Sequence, residues 1–296
     1  MTTLAATSLE TRLNQIISNI RNLPTPPIVF EQIQRVINNP ETPVAEVGKI
    51  ISEDPAISVK ILKLTNSAFY GLSRQVDSIK HAVMIIGLEA VKNLVLSASV
   101  LGMFKVDNLN KEYQEDFWRH SLSTALAARM IARTFKEGRV FNPDSAFSVG
   151  LLHDIGKMVT CCFLKKEHSQ VQEYLSQHSE ITDIDAEIAV MGFNHAQLGR
   201  QLAISWKLPV RMAETIGYHH HPDMKNESGD YAHLINLTDC IAHYAYPSKK
   251  TELRRYRVNQ ITGDYFKVDE PFFEKARADL YDEYAKAEIF IKIAGI

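Results

Sequence analysis

The stretch "GLLHDIGKMV", Gly150–Val159, decides how the chain is read, because it sets His153 beside Asp154 in an otherwise apolar run with Lys157 three residues on. A run of this kind reads as a buried helix. Ionisable groups are rarely buried unless they are paired or coordinate a metal, so the segment is either a satisfied structural network or the floor of a metal site. On a continuous helix of ~3.6 residues per turn, His153 and Asp154 would point about 100° apart. The carboxylate could then bridge two ions while the histidine serves one. Lys157, a turn beyond Asp154, could hold a phosphate oxygen.

Outward from this run, nearly every long segment carries helical rather than strand periodicity, so the expected fold class is all-α. From Ser8 to Ile20 the apolar positions Leu9, Leu13, Ile16, Ile17 and Ile20 share one helical face. "LPTPP" at Leu23–Pro27 stops that helix. The next is expected over Ile28–Asn38, and Thr42-Pro43 opens another as cap and first turn. Ala56–Asn66 reads as a helix, "NSAFYGLS" as a loop, and Ser78–Met103 as one long buried helix or two in sequence. A polar break, "KVDNLNKEYQED" (Lys105–Asp116), then precedes a second half in which eight of the eleven histidines lie between His120 and His221. The expected division is an N-terminal helical subdomain over 1–107, a metal-binding subdomain over 108–247 and a C-terminal helical extension over 248–296.

Composition bounds the function classes. With 45% hydrophobic and 23% charged residues the chain has ample material for a core, and disorder is excluded. A formal net charge of −2 gives no general drive toward nucleic acid or anionic lipid, and the paired cations Lys165-Lys166, Lys249-Lys250 and Arg254-Arg255 are short solvated runs without interleaved aromatics. Nucleic acid is therefore disfavoured as a partner. The start "MTTLAATSLETRLNQ" lacks a secretory pattern and no run of eighteen apolar residues occurs, so the expectation is a soluble, cytoplasmic protein without a membrane partner. Cys161, Cys162 and Cys240 are too few for a disulfide framework and read as buried thiols.

Taken in order, the candidate metal ligands are His120 in "FWRHSLSTA", His153 and Asp154, His195 in "GFNHAQLG", His219 and His220 in "IGYHHHP", and Asp239 in "NLTDCIA". Each lies in or beside an apolar helical segment, as in metal sites built inside bundles. Nitrogen and oxygen donors without cysteine suit Fe, Mn, Zn or Mg, and the ligand count fits two divalent ions. Asp116, four residues before His120, shares its face and could add an oxygen. His81, His168, His178, His233 and His243 read as surface or core filler.

The order H…HD…H…HH…D resembles the HD superfamily of metal-dependent phosphohydrolases, from His120 through Asp239. The first half sharpens the likeness: "LPTPPIVFEQIQRVINNPETPVAEVGKIISEDPAISVKILKLTNSAFYG", followed by "VDSIKHAVMIIGLEAVKNLVL", resembles the HDOD family, the HD-related output domain of bacterial signalling proteins. That resemblance runs from about Leu23 to His221. It implies a multi-helix HD-domain-like bundle and a regulatory role, exerted on a signalling partner protein or through a small phosphorylated ligand. Many HDOD members have lost parts of the HD ligand set, which this chain keeps. The family's paired histidines align with His219 and His220, leaving His221 at its variable next position. The HD-GYP branch, which hydrolyses cyclic di-GMP, is a poorer match, since no Gly-Tyr-Pro triplet follows "HHHPD" and Asp116 stands where that branch has glutamate. The retained ligands keep open an alternative function, a metal-dependent phosphohydrolase acting on a nucleotide or phosphodiester. In it Asp154 and Lys157 would be the catalytic side chains, with Asp239 helping to hold the nucleophilic water.

Overall fold

Proline, glycine and short polar caps punctuate the chain into helices, and no strand occurs among the described residues. The computed structural model describes residues 2–20, 23, 31–33, 44–104, 111–135, 141–178, 180–223, 227–245 and 258–294. The first half holds α1 (Thr2–Asn19), α2 (Val44–Ser52), α3 (Pro55–Thr65), α4 (Ile79–Ile86) and α5 (Leu88–Met103). The second holds α6 (Lys111–Thr134), α7 (Pro143–Leu152), α8 (Ile155–Phe163), α9 (Lys165–Gln177), α10 (Asp183–Met191), α11 (His195–Ser205), α12 (Val210–Tyr218) and α13 (Tyr231–Ala245). Two terminal helices follow, α14 (Gln260–Phe266) and α15 (Glu270–Ala294). Of the helix expected over Ile28–Asn38, only the helical residues Glu31–Ile33 are described, and Thr42-Pro43 lies outside the described residues.

Local chemistry accounts for most boundaries. Asp54 caps α3 by accepting from Ile57 N at 3.0 Å, with Pro55 in the first turn. Ser78 does the same for α4. The apolar stretch Ser78–Met103 is two helices, because Gly87 at φ +87° ends one and begins the next across a bend of 120°. Glycine reaches that positive φ without the steric cost of a Cβ. The polar break before the second half is shorter than expected, since Lys111–Asp116 already belongs to α6, while 105–110 lie outside the described residues.

Helix α6 is the spine on which α7, α13 and α15 pack, and Gly150 of α7 lets the two backbones approach: a Cβ there would lie 2.8 Å from Ala125 Cα. One continuous apolar core runs through both halves. The "NSAFYGLS" loop joins them. Its Phe69 is 5% exposed and packs on Phe147 of α7 and Phe290 of α15, with ring centroids at 5.1 and 5.0 Å. Arg129 of α6, 2% exposed, lies 3.7 Å from the Phe69 ring centroid and donates to Phe69 O at 3.3 Å. Burying such an aromatic contributes roughly 2–3 kcal/mol before the cation–π contact is added. Helix α1 lies against α11 of the second half, through Arg200–Glu10 at 3.3 Å and Gln201–Asn14 at 2.6 Å.

Candidate metal centre

The apolar run Gly150–Val159 is broken at its charged pair. Helix α7 ends at Leu152, α8 begins at Ile155, and His153 and Asp154 form the joint. A continuous helix is therefore not what presents them. Asp154 stands at the N-cap of α8 in the sparsely populated region φ −99°, ψ 13°, and makes no side-chain capping hydrogen bond. Aspartate is a poor interior helix residue and a good boundary residue. Here its carboxylate turns away from capping and into the protein.

That carboxylate faces two ways. Oδ1 lies 3.0 Å from His195 Nε2 and 3.6 Å from His219 Nε2, while Oδ2 lies 3.5 Å from His153 Nε2, 3.8 Å from His120 Nε2 and 2.6 Å from Lys157 Nζ. The predicted ligands gather as two adjoining groups, Asp154 with His195, His219 and His220, and His120 with His153 and Asp239. In the second group Asp239 Oδ1 is 3.0 Å from His120 Nε2 and 3.6 Å from His153 Nε2. His153, His195 and His219 are wholly buried, and Asp154 and Asp239 are 2% and 3% exposed.

The ring orientations test whether these groups suit metal. His153 Nδ1 donates to Gly150 O and His219 Nδ1 to Ile216 O, each at 2.7 Å, which leaves Nε2 of both rings as a lone-pair donor aimed at the centre. His195 Nδ1 lies 2.7 Å from Glu187 Oε2, which also accepts from His195 N. Nitrogens then face nitrogens: His120 Nε2 and His153 Nε2 are 3.3 Å apart, and His195 Nε2 and His220 Nε2 are 3.0 Å apart. His219 Nε2, Asp154 Oδ1 and Asp239 Oδ1 are buried without a well-formed hydrogen bond. Converging lone pairs and under-satisfied carboxylate oxygens are costly without a cation between them. The donor set fits divalent metal.

Electrostatics divide the members of the centre. Burial opposes ionisation of Asp154, but Lys157, His153 and His195 outweigh it and hold the carboxyl well below the usual range. Asp239 is likewise held low against burial, by His243, His120 and His153. Burial, with His243 alongside, pushes His120 down to about 4, and burial also lowers His219 and His220. His153 and His195 run the other way: burial lowers both, but Asp154 and Asp239 lift His153, and the Glu187 carboxylate lifts His195 to about 9. Ionised carboxylates and neutral imidazoles are the forms that ligate metal, so a cation bound here would displace the protons of these two rings.

The elements place these side chains for local reasons. Asn194 and Gln197 form a reciprocal capping box that starts α11 with His195 in its first turn. Asn236 Nδ2 of α13 donates to His219 O at 2.9 Å, satisfying a carbonyl at the end of α12. Gly156 brings α8 against the start of α11: a Cβ on it would collide with His195 O and lie 3.0 Å from Gly199 N.

Two residues stand apart. Asp116 is paired with Arg119 Nη1 at 3.0 Å, outside both groups, and His221 is exposed. Two residues were missed. His243, read as filler, is 8% exposed, stacks on His120 with centroids 4.1 Å apart and brings Nε2 within 3.3 Å of Asp239 Oδ1. Its spacing of four from Asp239 put both on one helical face, a usable signal. Glu187, which orients His195, was visible only as one of three acids on helix α10, beside Asp183 and Asp185. The segment Pro143–Phe163 is long and apolar enough to cross a membrane by length and composition, yet most of it is buried inside the protein and it carries His153 and Asp154.

Comparison with known proteins follows the same lines. The model of the HDOD domain matches residues 23–222. The chain superposes on an HDOD domain protein of unknown function from Geobacter sulfurreducens with a TM-score of 0.70 and 25% identity, covering 97% of this chain and 98% of that one. It is similar in fold to a protein from Shewanella amazonensis SB2B provisionally named a phosphohydrolase, at a TM-score of 0.71 and 23% identity over 94% and 97% of the two chains. A protein from Marinobacter aquaeolei VT8, provisionally named for signal transduction, shares the fold at a TM-score of 0.72 and 19% identity over 98% of this chain and 65% of that one. An uncharacterized protein of Treponema pallidum (strain Nichols) is 28% identical over 226 residues, which are 75% of this chain and 42% of that protein. The chain thus spans less than half the length of that relative.

Proposed function

Because the chain belongs to the HDOD family, we propose that it is a regulatory protein of bacterial signal transduction whose HD-like centre holds two divalent ions. The observation that carries this reading is the Asp154 carboxylate, with one oxygen turned to each ligand group. His120, His153 and Asp239 would hold one ion, and His195, His219 and His220 the other, with Asp154 reaching both. The nitrogen and oxygen donors suit Fe, Mn, Zn or Mg. Regulation is favoured over turnover by burial, since five of the centre's side chains are at most 3% exposed and leave a substrate little surface to meet. A bound metal pair in such a place braces helices α6, α7, α8, α11, α12 and α13 at one point. Its occupancy would be read out by a signalling partner protein or altered by a small phosphorylated ligand.

A second reading, a metal-dependent phosphohydrolase acting on a nucleotide or phosphodiester, draws on a flank of the centre that reaches solvent. There His120 and Lys157 keep 12% and 18% of their side-chain surface. Divalent ions would supply Lewis acidity and an acidified water at that flank. Asp154 would orient the nucleophile, and Lys157, now bonded to Asp154, would turn its ammonium toward a phosphoryl oxygen.

Elemental analysis of the purified protein, run beside hydrolysis of a generic phosphodiester and a nucleotide panel, separates the readings. About two ions per chain without turnover supports regulation. Turnover abolished by Asp154→Ala establishes the hydrolase instead. No metal after anaerobic reconstitution with iron or manganese overturns both.

A further inference from the structure

Away from the metal centre, a cavity of about 450 Å³ opens where the two halves meet, between α5 on one side and α7, α12 and α13 on the other. That volume lies within the ~300–1,000 Å³ usual for small-molecule sites. Its inner wall is apolar, built from Leu96, Val149 and Met212. On α5 the lining positions Glu89, Lys92, Asn93 and Leu96 follow a spacing of three, four and seven, so one helical face is given over to the cavity.

Three observations say what it would take. Asn93 lines the cavity at 6% exposure, and its Nδ2 is buried without a hydrogen-bond acceptor. A buried amide donor of this kind costs about 1–3 kcal/mol unless something accepts from it. The cations Lys92 and Arg211 line the mouth, with the Arg211 guanidinium 5.7 Å from the Tyr231 ring centroid. Finally, α12 begins here on Pro209 with no side-chain cap, so the positive end of its dipole faces the cavity unneutralised. Glu89 shares the rim but is 51% exposed and engaged with Lys92 at 3.5 Å, which leaves Arg211 as the leading contact for an anion.

We propose that this cavity binds a small organic anion, its charged group held by Arg211, Lys92 and the start of α12 and its apolar body laid on Leu96, Val149 and Met212, with Asn93 donating to it. Phosphate and carboxylate head groups share this chemistry. The inference extends the regulatory reading but rests on the cavity alone. A ligand seated here touches both halves at once, beside helices that run on to His153 and His219.

The test is calorimetric titration of the full chain with phenyl phosphate, benzoate and inorganic phosphate, repeated on Arg211→Glu, Asn93→Leu and Asp154→Ala. One aromatic anion should bind at one site per chain, more tightly than inorganic phosphate, and the stronger of the two identifies the head group. Arg211→Glu, at an exposed position, should weaken it by at least about tenfold, the loss of one charge-assisted hydrogen bond. Asn93→Leu should weaken it while leaving the helical content intact. Asp154→Ala, or dialysis against chelator, should leave binding unchanged even if it strips metal. Binding that survives Arg211→Glu shows that the anion sits elsewhere, binding that vanishes with Asp154→Ala places it at the metal centre, and either result overturns the proposal. So does the lack of saturable binding of any probe up to about 10 mM, a weak limit for a formed site.

Discussion

The heart of the first half's apolar core and the heart of the second half's His/Asp centre are buried to the same degree and are held together by opposite means. Ile61 and Leu64 are 0% exposed, as are His153 and His219. Around the first pair the force is non-directional and tolerates shape changes that conserve volume. Around the second pair each ring is fixed by a bond on Nδ1, and each remaining nitrogen is aimed at a shared point. Equal burial therefore hides different vulnerabilities: substitution in the first core should be felt in stability, and in the second chiefly in occupancy.

The largest break in that contrast should come from Asp154→Ala, which removes the oxygen facing each ligand group. Bound metal, measured by elemental analysis, should fall from about two ions to none. The stabilisation that ions confer, about 3 kcal/mol at a hundredfold excess over Kd, should vanish with it, so that chelator no longer shifts the melting temperature. A variant retaining its metal would show that Asp154 is not the shared ligand.

Arg129→Ala should do the reverse, lowering stability by about 3 kcal/mol in urea unfolding with ion content unchanged, because Asp144 and the Phe69 carbonyl lose their buried partner. A loss under about 1 kcal/mol would mean that Arg129 adds little to the aromatic packing around Phe69. Glu187→Gln sharpens the comparison from within the centre. It leaves the fold in place but deprives His195 of its carboxylate, and metal affinity should drop roughly tenfold to a hundredfold in competition with a chromophoric chelator. An unchanged affinity would reduce Glu187 to packing. Smallest of all, Ile61→Val should cost about 1 kcal/mol in the same unfolding assay and leave metal content untouched.

The helical class and the side chains that gather at the centre were legible because periodicity and residue chemistry are local. Thr42-Pro43, the cap read from the sequence, lies outside the described residues, while Asp54-Pro55, Ser78 and the Asn194–Gln197 box, which act within one turn of where they stand, went unread. The joint at His153–Asp154 was not legible. Its surroundings are as apolar as any helix interior, and what packs on either side of it, α6 on α7 and α11 on α8, comes from distant parts of the sequence. His243 was missed for a different reason: histidine on an amphipathic helix is ambiguous until its neighbour Asp239 is known to point inward. The pairing of Phe69 with Arg129, sixty residues apart, left no local trace at all.

Gly156 carries the last consequence. It has no side chain to bind, donate or ionise, yet its missing Cβ is what allows α8 to rest against the carbonyl of His195. The spacing of Asp154 from His195 is gauged by an atom that is not there. In a survey of every substitution along the chain, this glycine should rank with the ligands in intolerance, and homologues that have shed their histidines should be freed to replace it.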